Sequence, residues 1–437
     1  MNTSPSPDLQ GPRQVRREPV LLQYAVMGYL AMLPLGHLVV LPVAGVWMTA
    51  ADGLLGLLIL AGAVEVLRAR SDDSSVEGPA DPGELASVLP GVYLLLFAAW
   101  VAASGFWGFH REYAFLKGLG FAGLSLGVFA ISGCRMNWRR AVDAWLVGTI
   151  LAMVVTWVPA VLGPEVLRER VAYLGGMVDG LPFPRVRGPF LHPNMFGDYL
   201  VVSAVLLWTR WGDWSRRNHV ATVVFGACVA FSLVMTVSSA WASAGIVMTF
   251  VALTQFRGRA GALMSLRRPI PALLVIGGVS LTVVSATSLL APMNFGVGPV
   301  TVETGGIRPH IWSSALEAVK AAPIRGVGAA PYLAEAADPI ALGSAPMLWD
   351  ASSVYLSVLA QFGLIGFLLA AFPIFLIVRG ILTAGVSTVR IALLVAFLSV
   401  GVHGVFQASE EQRHVWALLG IAMLVMRWRA MRVEGEG

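Results

Sequence analysis

The chain has 437 residues, of which 57% are hydrophobic and only 13% charged, and its mean hydropathy is +0.74. A water-soluble globule of this length cannot hide that much apolar surface, so an aqueous fold is excluded. The net charge of +5 comes from arginines scattered between apolar runs rather than gathered in a patch, which excludes a nucleic-acid footprint.

In chain order, residues 1–19 are polar and Pro-rich and carry Arg13, Arg16 and Arg17, the pattern expected of a disordered cytoplasmic tail. No small-residue cleavage site follows, so a retained first span is expected rather than a removed signal peptide. Apolar runs of bilayer length then recur near 22–42, 45–67, 86–106, 112–132, 141–162, 194–210, 220–237, 240–256, 270–291, 352–378, 387–406 and 413–427. They do not alternate as barrel strands do, and a segment alone in lipid must satisfy its own backbone, so each is read as a helix. The expected fold is all-α and polytopic, with about 12 transmembrane helices. Residues 20–430 form a single transmembrane domain with a large outer loop at 292–351 between spans nine and ten, and 431–437 form a second cytoplasmic tail. Cys134 and Cys228 have neither zinc spacing nor a disulfide framework.

Arginine placement orients these spans. With the N-terminus inside, the inner connections hold Arg68/Arg70, Arg135/Arg139/Arg140, Arg210/Arg216/Arg217, Arg257/Arg259/Arg267/Arg268 and Arg379/Arg390. The short outer connections hold almost none, so both termini are expected in the cytoplasm. Two outer segments break the pattern. Residues 163–193 contain Arg168, Arg170, Arg185 and Arg187, and residues 292–351 contain Arg308, Lys320 and Arg325, with a helix expected from Arg308 to Ala321. Long outer loops tolerate charge, which is one reading. The other is an anionic ligand at the outer leaflet, because the guanidinium fork suits phosphate oxygens.

Three short segments carry the chemistry. His192-Pro193-Asn194-Met195-Phe196-Gly197 opens the sixth span, with Pro193 suited to a first helical turn. Asn194 and Asp198 are placed to serve donors there, and the helix start attracts anions. By itself this is a capped helix start with an interfacial histidine. Arg308 to Trp312, followed by Pro323-Ile324-Arg325-Gly326-Val327-Gly328, reads alone as a surface helix ending in a glycine turn. Ser352-Ser353-Val354-Tyr355-Leu356, followed by Gly363-Leu364-Ile365-Gly366, reads alone as a helix packing through small residues.

Taken together and in this order, the segments resemble the O-antigen ligase/polymerase family of membrane glycosyltransferases, which shows h-P-N-x-x-G, then R-x-x-x-W and P-x-x-G-x-G in a large periplasmic loop, then a polar pair with Y-L and G-L-I-G. The resemblance covers roughly residues 185–370. It implies a GT-C-like fold in a bacterial inner membrane with the active site facing the periplasm. The implied reaction moves a glycan from undecaprenyl-diphosphate onto an acceptor, the lipid A core or similar for a ligase and a growing polysaccharide for a polymerase. Membrane lipids surround the site, and neither a cofactor nor a metal is implied, because the diphosphate is already an activated leaving group.

Under the resemblance Arg308 is the first choice for diphosphate contact. Arg185, Arg187, Asn194, Trp312, Arg325 and Ser352 are expected around the substrate. The family's histidine ahead of Y-L, its favoured general base, falls here on Ser352, and an S-R pair at the eighth span is replaced by Thr236-Val237-Ser238-Ser239-Ala240-Trp241. Asp350, His192 or His310 then supplies the base. Alternatively the acceptor needs little deprotonation, or the protein binds lipid-linked glycan without transferring it. A transporter is the remaining alternative, although no internal repeat is present. His37, Lys117 and the cluster His403, Glu410, Glu411, Arg413 and His414 read as helix-packing, snorkelling and salt-bridged turn residues, the latter two also able to border a cleft.

Overall fold

The computed structural model describes residues 20–38, 40–43, 46–72, 82–108, 110–163, 172–173, 185–190, 192–236, 238, 240–241, 243–247, 294–297, 300–329, 353–383, 387–408 and 410–433. Helices dominate. In chain order they are α1 (Val20–Met32), α2 (Ala50–Asp72), α3 (Pro82–Ala103), α4 (Arg111–Gly133), α5 (Trp138–Leu162), α6 (Pro193–Arg217), α7 (His219–Met235), α8 (Thr304–Ala321), α9 (Val354–Thr383), α10 (Thr388–Phe406) and α11 (Arg413–Val433). Three antiparallel two-stranded ribbons, β1–β2 (Val40–Val43, Val46–Thr49), β3–β4 (Ala172–Tyr173, Arg185–Val186) and β5–β6 (Asn294–Val297, Val300–Glu303), decorate the connections.

Among the described residues, six helices are long and apolar enough to cross a membrane, and Val20–Gly36 and His219–Met235 are shorter apolar helices. The chain is therefore an all-α polytopic membrane protein, as its composition requires. The expected spans beginning near 86, 112, 141, 194, 220, 352, 387 and 413 each coincide with a helix. That near 240–256 is described only to residue 247, and that at 270–291 lies outside the described residues. The first expected span differs. α1 stops at Met32, a 3-10 turn takes Leu33–Leu38, and the β1–β2 ribbon precedes α2. Pro34 and Pro42 lack the amide that a helix would need there, while Asp52 restarts the helix by accepting from the Thr49 amide at 2.8 Å.

Lipid tails are as apolar as Leu, so helices in a membrane associate through close packing rather than hydrophobic exclusion. Small residues permit that approach. A Cβ on Gly148 of α5 would stand 2.7 Å from the Ala31 carbonyl oxygen of α1, and one on Gly118 of α4 would stand 2.6 Å from the Ala102 Cβ of α3. Aromatic rings fill the larger gaps, with Trp145 stacked on Tyr199 at 5.2 Å and Phe97 against Phe121 at 5.1 Å.

The bundle has two chemically different ends. One gathers arginines: Arg140 donates to Gln23, and buried Arg210 of α6 makes a two-pronged contact with Asp143 of α5 at 2.8 and 2.9 Å and pairs with Asp213. The other gathers the α3–α4 turn, the loop after α8, the starts of α6 and α9, and the α10–α11 turn. The His192–Gly197 start of α6, the Pro323–Gly328 loop and the start of α9 lie at this second end.

Candidate functional site

The glycine motifs form a clasp. At Gly363 the α9 backbone leaves helical geometry (φ 64°, ψ −168°), freeing carbonyls and amides that a membrane helix cannot leave bare. The loop after α8 takes them up. Val327 and Gly328 amides donate to the Ala360 and Gln361 carbonyls at 2.9 Å each, and Leu364 and Ile365 amides donate back to Pro323 and Ile324 at 2.9 and 3.2 Å. Gly326 and Gly328 hold left-handed φ values of 74° and 98°, which only glycine adopts without cost. Two indoles close the clasp from α3 and its turn, Trp100 donating to the Phe362 carbonyl at 2.9 Å and Trp107 to that of Gly326 at 3.1 Å. Ala315 and Ala318 of α8 pack on Ala360 of α9. The helix that begins the R-x-x-x-W motif is thereby fixed to α9, α3 and the α3–α4 turn.

The start of α6 is held as firmly. His192 is its N-cap, with Nδ1 accepting from the Asn194 amide at 3.1 Å and Pro193 in the first turn. A Cβ on Gly197 would stand 2.5 Å from Ser238 Oγ and 2.7 Å from the Ala240 Cβ, so the motif glycine admits the start of the eighth span. Asn194 Nδ2 donates to Gln407 Oε1 at 3.0 Å. One turn on, fully buried Asp198 receives His414 Nε2 at 2.9 Å on one oxygen, and His403 Nδ1 lies 3.6 Å from the other.

A second polar chain runs beside it. Lys117 of α4, its side chain 7% exposed, pairs with Glu411 at 2.8 Å and donates to Gln361 Oε1 at 3.4 Å. Gln361 donates to Ser357, and Ser357 to Glu410. Arg413 clamps Asp52 at the head of α2 with contacts of 2.6–2.9 Å. The Lys117 ammonium holds the Glu411 carboxyl below its usual range.

The residues singled out from the sequence fall as follows. Arg308 and His310 are on the first two turns of α8, and Arg185 begins β4. Trp312 is half-buried, and its buried indole N–H has no hydrogen-bond partner among the described residues. Arg187 is half-buried at the turn before α6, and Arg325 is exposed on the clasp. Asn194 and His192 are engaged as given above. Asp350 and Ser352 lie outside the described residues, although Ser353 beside them is buried. Lys117, His403, Glu410, Glu411, Arg413 and His414, read first as packing, snorkelling or turn residues, join the same end. Asp198, Ser357, Gln361 and Gln407 had been given no part in the site chemistry beyond a donor-serving role for Asp198. Their signal was the rarity of polar side chains inside apolar spans. Among the described residues, no group of three or more His, Cys, Asp and Glu is arranged to hold a metal ion.

The sequence model of the family described as O-antigen ligase matches residues 196–371. The match begins within the α6 motif, includes α8 and the glycine clasp, and ends in α9, which bears out the resemblance. It supports a ligase- or polymerase-type role in polysaccharide biosynthesis. No curated protein matches the chain.

Proposed function

We infer, from the O-antigen ligase domain at residues 196–371, that the protein is a glycosyltransferase that moves a glycan from a polyprenyl diphosphate, undecaprenyl diphosphate in a bacterial inner membrane, onto an acceptor hydroxyl at the outer face. The observation that supports this reading is the meeting of the α6 start, the glycine loop after α8 and the α9 start at one end of the bundle, with Arg187 at the turn before α6 and exposed Arg325 on the clasp. With both termini cytoplasmic, that end faces the periplasm and the arginine-rich end faces the cytoplasm. Residues 20–430 act as one transmembrane domain, and the loop at 292–351 belongs to the site.

The acceptor oxygen attacks the anomeric carbon, the bond from that carbon to the diphosphate oxygen breaks, and the lipid diphosphate departs with the electron pair. Arg308 contacts the developing diphosphate charge, aided by Arg187, Arg185 and Arg325. The acceptor proton passes to Asp350 or His310. His192 suits a different task. Because its Nδ1 accepts from the Asn194 amide, the neutral ring carries its proton on Nε2 and is a donor to glycan or phosphate oxygen. Trp312, whose indole N–H meets no partner among the described residues, is assigned to the same ligand together with Ser352, and Asn194 supports them from within through its bond to Gln407.

The test is transfer in vitro by the purified protein in bilayers with a defined undecaprenyl-diphosphate glycan. Arg308→Ala is expected to lower kcat on the order of 100-fold or more at normal abundance, and Asp350→Asn to lower it more than His192→Ala. Wild-type transfer by Arg308→Ala, or movement of the glycan across the bilayer without transfer, overturns the reading. Offering a lipid A core and a second glycan side by side separates ligase from polymerase. The ligase is the outcome we expect, from the single large outer loop.

A further inference from the structure

The α10–α11 turn, residues 401–414, lies outside the matched region, yet it touches both motif-bearing helix starts. Asn194 and Asp198 stand one turn apart on α6, and His403 and Gln407 stand one turn apart at the end of α10. They meet as antiparallel rungs: Asn194 Nδ2 on Gln407 Oε1 at 3.0 Å, and Asp198 Oδ1 facing His403 Nδ1 at 3.6 Å. His414, in the first turn of α11, closes the lower rung from the other side at 2.9 Å. Its ring stands edge-on to Phe190 and Tyr199, 6.2 and 5.9 Å away, so its orientation is boxed in.

The same turn also receives α9. The Gln407 carbonyl accepts the Val354 amide at 3.2 Å, one of the orphan donors at the start of α9. Tyr355 OH donates to the Gly401 carbonyl at 2.7 Å, and Ser357 donates to Glu410 at 2.7 Å. Gln407 therefore holds the α6 start with its side chain and the α9 start with its backbone. Val354 is two residues past Ser352, the position where the family's histidine is replaced.

Asp198, His403 and His414 are 0%, 0% and 2% exposed, so they cannot touch a sugar or a diphosphate in this arrangement. A carboxylate buried in an apolar bundle is costly unless donors or a counter-charge meet it. Three such groups that form no part of the exposed surface need a reason, and the fold supplies one: they register two motifs against each other. We propose that Asn194–Gln407 and Asp198–His403–His414 form a positioning cradle that sets the separation and rotation of the α6 and α9 starts on which sugar transfer depends. This rests on the glycosyltransferase reading above. A displacement of about 1 Å between reacting groups lowers turnover on the order of 100-fold, so a lost rung is expected to reduce kcat more than it raises KM.

The experiment uses the full chain in bilayers with undecaprenyl-diphosphate glycan and compares wild type, Asn194→Ala, Gln407→Ala, the double variant and Asp198→Asn. Each single change is expected to lower kcat at least about tenfold, with KM for the donor within about threefold and thermal stability in detergent near wild type. The two alanine changes are expected to be non-additive, the double variant losing little more than either single one. The conservative Gln407→Glu, which still accepts from Asn194, is expected to recover most of the turnover lost in Gln407→Ala. Multiplicative losses in the double variant, or unchanged kcat in Gln407→Ala and Asp198→Asn, overturn the cradle. Wild-type inactivity on the donor strikes the functional reading instead. In that case, or where Asp198→Asn fails to accumulate, Asn194→Cys with Gln407→Cys is tested for disulfide formation in the membrane. Absence of a cross-link overturns the pairing itself.

Discussion

Gly363 shows how one residue type at one position decides a local structure. Its φ of 64° opens the α9 helix, and a Cβ there would collide with the Ile324 carbonyl oxygen of the clasp. Gly363→Ala therefore pays both for backbone strain and for lost hydrogen bonds, and is expected to lose about 1–3 kcal/mol of stability. Gly212→Ala is the control, because a Cβ there meets nothing within 4 Å in the middle of a helix. It is expected to be neutral or to gain up to about 1 kcal/mol. Thermal unfolding of the two variants in one detergent checks the pair, and equal Tm values would remove the clasp from the account. The motif glycines were visible in the sequence as letters at fixed spacing. Why Gly326 and Gly363 must be glycine was not, because the atoms a Cβ would meet, on Gln361 and Ile324, lie about 35–40 positions away on the other side of the clasp.

Among the elements, the turn between α10 and α11 is held by charge as well as hydrogen bonds. Lys117, nearly buried on α4, holds the Glu411 carboxyl below its ordinary value of 4.5, so the pair stabilises the native state above that value. The contribution disappears as the pH falls through the lowered value and Glu411 takes up a proton. Glu411→Gln is thus expected to lower Tm near neutral pH, with the gap to wild type closing in acid. A gap of constant size from about pH 6 to 3 contradicts the assignment. The effect is small, because the Glu411 side chain is 59% exposed and water screens it. The helices of this turn were legible from apolar runs, and both charges stood out against them. Their pairing was not, since α4 and the start of α11 are separated by nearly 300 positions. The first span was misread at its far end for a local reason: an apolar run with Pro34, Gly36 and Pro42 looks continuous by hydropathy, whereas the backbone cannot remain helical through it.

Across the molecule, the contacts between described helix ends fit helices that cross in alternating directions. Gln23 meets Arg135 and Arg140 at one end; Asp52 meets Arg413 at the other. A phosphatase reporter active only outside the cytoplasm, fused after Asn218, is expected to stay inactive, and one fused after Ser238 to be active. The reverse result inverts the molecule and places the motifs on the wrong face for an outer-leaflet donor.

Composition and the spacing of apolar runs by themselves determined that the chain is a membrane helix bundle, because hydrocarbon thickness and backbone hydrogen bonding leave few other solutions. Three short motifs, read in order, pointed to the O-antigen ligase family, and the match at residues 196–371 agrees. Only the tertiary structure decided that Asp198, His403, His414, Gln407, Lys117 and Glu411 share one end and are mutually engaged. Polar side chains inside a bilayer must find partners, but a one-dimensional pattern does not say which ones. That choice is made by helix rotation and register, which are set by packing between distant segments of the chain.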